Sequence, residues 1–238
     1  IWLGLVGSEM CIRDRMTSLA LLQLVSPALP VGGFSYSEGL EVQIQAGMLA
    51  DERALEGWLE AELTRGSLRL EAASLVTLAN DCSAWVRRGD AEARQRLLNL
   101  DGWLLATRDA AELRAQHRQM GQSLLLLLAE MGHSLPAPLS LAWPASWAWA
   151  ARALKLSDRE MMQGYLYSWV ANQLSAAVRL LPLGPSRAQV LQQRALPLIA
   201  DQAEQLLDRD PRTLWSGGVG VGQAQLAHAE LYSRLFRS

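Results

Sequence analysis

Cysteine is almost missing from this chain: 238 residues hold two, Cys11 and Cys82. Two thiols so far apart cannot build a disulfide scaffold or a cysteine-rich metal site, and they read as a reducing, cytosolic compartment. Lysine occurs once, as Lys155, outside any phosphate-loop or Schiff-base motif. Histidine is as scarce, with His117, His133 and His228 widely spaced. Aromatic residues make up 6%. No run alternates apolar and polar residues as a half-buried strand does, and no repeat period is visible. A net charge of −2 supplies no basic face for nucleic-acid phosphates. Two uncharged stretches, 131–151 and 161–178, approach a membrane span in length. The first is broken by Pro136, Pro138 and Pro144, and the second carries Gln163, Asn172 and Gln173. Both suit buried helices better than lipid.

What is present is apolar and helix-forming. Half of the chain is hydrophobic, enough for a sizeable core and against disorder. Leu, Ala, Gln, Glu and Arg dominate, and β-branched residues are few. Leu55, Leu59 and Leu63 form a stripe with Trp58 beside it. Further helices are expected over 68–85, 91–107 and 109–131, where Asp109-x-x-Glu112 could cap its own amides. Leu124–Leu128 cover every face of that helix, so its second half should be buried. Ser157-x-x-Glu160 has the capping-box pattern before a long helix to about Leu181, apolar nearly all round and expected at the centre. A helix over 186–208 should be bent or interrupted at Pro197. A loop from Asp210 through the glycine run 216–222 and a last amphipathic piece, 223–236, close the chain. The expected fold is all-α, a single-domain bundle of roughly eight to ten helices. Residues 1–15 resemble a translated sequencing adapter and not a signal peptide, because charge follows the apolar stretch. Met16 is therefore expected as the start, residues 1–15 as a non-native or disordered extension, and 16–238 as the domain with a flexible tail from about 216.

Catalytic patterns are sparse. The glycine run has no strand before it and no Lys-Ser/Thr after it. Glu130-x-x-His133 occurs once, beside a helix-ending Gly132, and His228-x-Glu230 points its side chains apart on a helix. Cys82 has no local base. No catalytic, cofactor or metal site is expected, and the chain reads as a non-enzyme. Three segments are unusual for plain packing. Ser26–Glu41 combines Gly, Pro and hydroxyls with Phe34, Ser35, Tyr36 and Ser37. Residues 165–184 set Asn172, Gln173, Ser175 and Arg179 in an apolar helix, where they should pin a polar core. The terminal run carries Tyr232, Arg234, Leu235, Phe236 and Arg237, types that anchor protein interfaces.

These segments resemble the urease accessory protein UreF family. The resemblance rests on Ser-Pro-Ala-Leu-Pro-Val-Gly-Gly-Phe-Ser-Tyr-Ser at 26–37 and on 114–125 with Gln-Met-Gly at 119–121. It continues in Tyr-Ser-Trp and Asn-Gln-Leu-Ser-Ala-Ala-Val-Arg within 167–179 and in Tyr-Ser-Arg-Leu-Phe-Arg-Ser at the end. It spans 16–238 in order. Ala115-Gln116 stands where Ala-Ser is expected, and Trp143-Pro144 where an aromatic or His before Pro is usual. The resemblance implies an all-α, cytoplasmic homodimer that bridges the UreD/UreH scaffold and the GTPase UreG and docks on apo-urease. GTP hydrolysis by UreG then accompanies nickel insertion, and no nucleotide or cofactor site of its own is implied. By position, Arg234 would hold the geometry that recruits UreG. Phe34 and Tyr36 would be its neighbours, with Tyr232, Leu235 and Phe236 in a tail ordered by the scaffold. A metallochaperone binding nickel with its own ligands is the alternative.

Overall fold

The computed structural model describes residues 19–238. The expected start at Met16, the extension 1–15 and Cys11 lie outside the described residues. Among the described residues the fold is all-α, with ten helices in one bundle. Helix α1 covers 19–24. It is followed by α2 (Leu40–Gln45), α3 (Glu52–Arg65), α4 (Leu68–Arg88), α5 (Ala91–Ala106) and α6 (Ala111–Glu130). Then come α7 (Trp143–Ala153), α8 (Asp158–Leu180), α9 (Pro185–Leu206) and α10 (Val219–Ala227). Single 3₁₀ turns lie at Gly33–Ser35, Pro211–Thr213 and His228–Glu230. Among the described residues there is no strand, and no helix is long and apolar enough to cross a membrane.

Local chemistry sets the helix ends. Asp51 accepts from the Ala54 amide at 2.8 Å and Asp90 from the Ala93 amide at 2.9 Å, satisfying donors that a helix start leaves unpaired. Ser157 and Glu160 form the reciprocal capping box in front of α8. Gly89, with φ 69, ends α4 in the left-handed conformation. Asp109-x-x-Glu112 does not cap α6, whose N-cap Ala110 has no side-chain bond; Glu112 is engaged elsewhere.

The interior is organised around α4 and α7 instead of α8. Helix α4 packs against α3, α5, α7, α8 and α9. Eight successive residues of α7, Pro144–Ala151, are buried, as the all-round apolar pattern of a central helix requires. Trp147 donates to the Met161 carbonyl at 3.0 Å and Trp149 to that of His133 at 3.1 Å, so their indole N–H groups are not stranded. Helix α8 keeps a polar rim, with Ser175 and Arg179 exposed. Of the run Leu124–Leu128 in α6, Leu124, Leu125 and Leu128 are buried, whereas Leu126 is 58% exposed. Only one face of that helix meets the core.

Two breakers behave differently from expectation. Helix α9 runs through Pro197 without interruption. Pro197 sits on the solvent face, while Ala188, Leu191, Ile199, Ala203 and Leu206 hold the opposite face in the core. The bond that proline forfeits therefore falls where water can replace it. In the glycine run, α10 begins at Val219, and the chain turns irregular after Glu230 instead of continuing as a helix to Phe236. Nine residues with two glycines have little intrinsic helicity. Packing on α2, with Ala224 buried, is what stabilises α10.

Gly121 gives the 119–121 motif a mechanical reason. A Cβ there would lie 2.7 Å from the Ala142 carbonyl carbon and 3.0 Å from its oxygen, so α6 passes in backbone contact with the start of α7. Gly121→Ala is expected to destabilise the fold by about 1–3 kcal/mol through overpacking, read from the midpoint of urea unfolding. An unchanged midpoint would show that the helices can separate freely.

Candidate functional site

The Ser26–Glu41 segment and the terminal run come together, with the polar part of α8 beneath them. The turn between them has an unusual backbone. Glu38 has φ 53 and Gly39 has φ 91, the left-handed region in which L side chains are costly. At Gly39 a Cβ would also meet the Gln225 amide nitrogen at 3.2 Å, so α10 lies directly on this turn. Glu38 accepts this conformation because its carboxylate is bonded twice, by Gln116 Nε2 at 2.7 Å and by Trp169 Nε1 at 2.9 Å.

The turn binds the chain terminus largely by main chain. The Ser37 amide and Ser37 Oγ donate to the Ser238 carbonyl at 2.8 and 2.7 Å, and the Glu38 amide does so at 3.1 Å. Arg237 N–H donates to the Ser35 carbonyl at 2.9 Å. One turn further on, the Glu41 carboxylate, 1% exposed, accepts the amides of Leu235 at 2.7 Å and Phe236 at 3.1 Å. Its second oxygen is 3.4 Å from His228 Nε2, and the other ring nitrogen of His228 is 2.8 Å from Glu112. Glu112 in turn holds Arg234 at 2.7 Å. The result is a continuous line of polar side-chain contacts from α2 through His228 to α6 and the tail.

The sequence-selected residues divide between anchoring and display. Tyr36, Ser37 and Phe236 are buried, and Ser35 is half-buried. Phe34 is 67% exposed and Leu235 50%, and Tyr232 is fully exposed; Arg234 and Arg237 face solvent. The expected polar core of α8 is not a buried cluster. Asn172 is half-buried and donates weakly to the Tyr36 carbonyl at 3.5 Å. Gln173 is fully buried without a side-chain partner among the described residues. Ser175 and Arg179 are exposed because α8 turns that face outward. Arg179 instead clamps the two segments. It donates to the Phe34 carbonyl at 3.1 Å and lies 4.5 Å over the Phe236 ring, a cation–π contact.

Below this surface lies a buried acid–base group that sequence reading passed over. Glu71 on α4 pairs with Arg108, and Tyr165 Oη donates to it at 2.7 Å; His117 Nδ1 is 3.5 Å away. Burial pushes the Glu71 carboxyl up, but Arg108 and His117 outweigh it and hold it below its usual range. Burial likewise opposes the Arg108 charge, and Glu71 more than restores it. Burial lowers His117, whereas burial and then Glu71 raise the Tyr165 phenol well above its usual value. A cavity of about 520 Å³ reaches from Phe34 at its rim past Met120 and Trp143 to Glu71, His117 and Tyr165. Among the described residues, no group of three or more His, Cys, Asp or Glu is placed to hold a metal ion. No spacing signal marked Glu41, Glu71 or Arg108. Glu38 and Glu41 lay inside the selected segment, and Glu112 and His228 were visible only in patterns with other readings.

An all-α bundle whose polar machinery fixes a segment of its own chain, and shows aromatic, leucine and arginine side chains on the outside, has the organisation of a protein that works through partners. The comparisons make the assignment specific. The UreF family model matches residues 49–196. The urease accessory protein UreF of Prochlorococcus marinus subsp. pastoris (strain CCMP1986 / NIES-2087 / MED4) is 37% identical over 218 residues, covering 90% of this chain and 96% of that protein. UreF of Thermosynechococcus vestitus is 39% identical over 226 residues, covering 92% and 97%. UreF of Microcystis aeruginosa is 39% identical over 229, covering 94% and 99%. This chain belongs to the UreF family of urease accessory proteins.

Two outcomes follow from the site. Glu41→Gln keeps the shape but removes the charge that gathers two amides and His228. It is expected to speed hydrogen exchange across 228–238 and to cost about 1–3 kcal/mol; unchanged exchange there would show that Glu41 does not hold the tail. Glu62, on α3 beside the Glu38 turn, has its carboxyl pushed up to about 7 by burial, with Arg108 opposing and Glu38 adding to the rise. A raised folded-state value gives stability that is full below the unfolded value and is lost as pH rises toward 7. Glu62→Gln should therefore raise stability by up to about 3 kcal/mol at pH 8 and change little near pH 4, measured by denaturant unfolding at both pH values.

Proposed function

We propose that this chain acts in urease maturation by bridging the UreD/UreH scaffold and the GTPase UreG, coupling GTP hydrolysis to insertion of nickel into apo-urease. In this reading it works in the cytoplasm as a homodimer, nickel is cargo, and the nucleotide chemistry belongs to UreG. The chain itself supplies geometry and not turnover.

The observation that carries the reading is the outer face of the docked terminus. Tyr232, Arg234 and Leu235 face solvent, while Glu41 holds the Leu235 and Phe236 amides, Ser37 holds the Ser238 carbonyl, and Arg179 links the Phe236 ring to the Phe34 carbonyl. Tyr and Arg are favoured at the energetic centres of interfaces, and presenting them on a fixed backbone lowers the entropy cost of binding. In this reading Phe34 and half-buried Ser35 form the other half of this face, buried Tyr36 and Ser37 support it from below, and Phe236 and Arg237 join the halves. The segment from about 216 onward is the part proposed to shift when the scaffold binds.

The test is co-purification of residues 16–238 with UreD/UreH, then with UreG, GTP and nickel, beside a sample lacking 226–238. The full chain is expected to form the ternary complex and the shortened one to fail. Failure of both would remove the bridging function, and equal binding by both would transfer recruitment to the Phe34 loop. Arg234→Ala breaks only a partly exposed pair with Glu112, a contact of about 0–1 kcal/mol. Loss of UreG recruitment with a nearly unchanged melting temperature is the expected outcome, and unchanged recruitment would clear Arg234 of that role.

A further inference from the structure

Helix α10 lies against a buried acid. Glu62, near the end of α3 and 6% exposed, lines a small cleft together with Glu38 of the strained turn and with Val221 and Gln225 of α10. The segment that carries α10 is tied down on both sides of this cleft. The Gly217 amide donates to the Arg65 carbonyl, one turn beyond Glu62, at 2.8 Å. The Gln225 side chain donates to the Glu38 carbonyl at 3.3 Å.

The charges around Glu62 leave an ionised carboxylate poorly served. Arg108, from the α5–α6 connection, is the one cation lining the cleft, and its guanidinium is already committed to Glu71 and Ser67. Behind it stand Glu71 of α4, His117 of α6 and Tyr165 of α8. Glu38 faces Glu62 with the same sign of charge. The rest of the lining, Trp58, Ser67, Leu68, Trp169, Val221 and Gln225, has no ionisable group. An ionised carboxylate in such a place must gain donors or water. Admitting water means moving one of the elements around the cleft. Helices α3, α4 and α8 each place several large residues in the core. Helix α10 has nine residues and buries only Ala224, too short a helix to persist away from its support.

We propose that Glu62 is a proton-operated latch for the end of the chain: uncharged, it lets α10 lie over it, and on giving its proton to solvent it draws in water by lifting α10. The terminus follows α10 directly, so its hold on Ser37, Glu38 and Glu41 slackens in the same step. Burial sets the working range, since it pushes the Glu62 carboxyl up to about 7. The end of the chain is therefore docked on the acid side of neutrality and loosened on the alkaline side. As regulation of the face offered to UreG, the latch rests on the function proposed above. As a link between one proton and docking, it stands without any partner.

Amide hydrogen exchange of the full chain and of Glu62→Gln, read as protection factors at pH 6 and pH 8, tests the latch. The reporters are the amides of Gly217, bonded to Arg65, of Gly222, bonded to Gly218, and of Leu235, bonded to Glu41. A carboxyl near 7 when covered and at the ordinary glutamate value when open shifts the opening equilibrium about tenfold between those pH values. His228 also meets the tail, so the readout is the difference between the two proteins. The parent is expected to lose about tenfold more protection at these amides than Glu62→Gln, a variant that keeps the shape and cannot ionise. Equal losses in the two proteins overturn the proposal. A parent loss of the same size at the amides of α4 and α7 overturns it too, because that marks unfolding of the whole bundle and not release of α10. No partner protein takes part, so the latch and the bridging function can fail separately.

Discussion

A carboxylate removed from water must be surrounded by donors or lose its charge, and Glu41 meets that demand with the far end of its own chain. Its partners are the amides of Leu235 and Phe236 and the ring of His228, residues nearly two hundred positions away. None of them could be placed there unless α10 first turned back over α2. The close fit at Gly39 and the bond from Gln225 to the Glu38 carbonyl secure that return. The need to satisfy one buried acid thus ties together the turn, α10 and the terminus.

The Glu71–Arg108 pair plays a comparable part deeper in the bundle. Burying an ion pair brings little net stability over a well-packed apolar replacement, but losing one partner is costly. The pair therefore acts more as a constraint than as a source of stability. Arg108 must reach from the α5–α6 connection to α4, and Tyr165 must come in from α8 to share the carboxylate. Two helices and the α5–α6 connection are held in one register by a group whose orphaned halves the core would not tolerate. The Phe34 rim lies on the same cavity, so the surface proposed to meet partners is backed by this floor.

Most of the fold was legible because helix signals are local. Leucine stripes and the Ser157-x-x-Glu160 pattern marked α3, α5 and α8 within a few residues, and the all-α class followed. The central position of α4 and α7 was harder to read, because burial on every side looks alike for any apolar helix. Helix α10 and the unbroken α9 depend on contacts with distant elements, which propensity does not contain. At the site, residue types were legible and their roles were not. Arg179 looked like a buried pin because its sequence neighbours are apolar, yet it sits on the one face of α8 that meets the tail. Glu112 looked like a cap because its spacing allows one, and a buried histidine drew it away.

The terminus is gripped mainly through its backbone: Glu41, Ser37 and Ser35 take hold of amides and carbonyls that every residue possesses, and Phe236 and Ser238 are its buried residues. Attachment and display are consequently separable traits. Substitution at Tyr232 or Leu235 would change the exposed side chains of the tail while the backbone bonds that dock it stay intact. Position 236 lacks that freedom, since its ring is both buried and the surface on which Arg179 stacks.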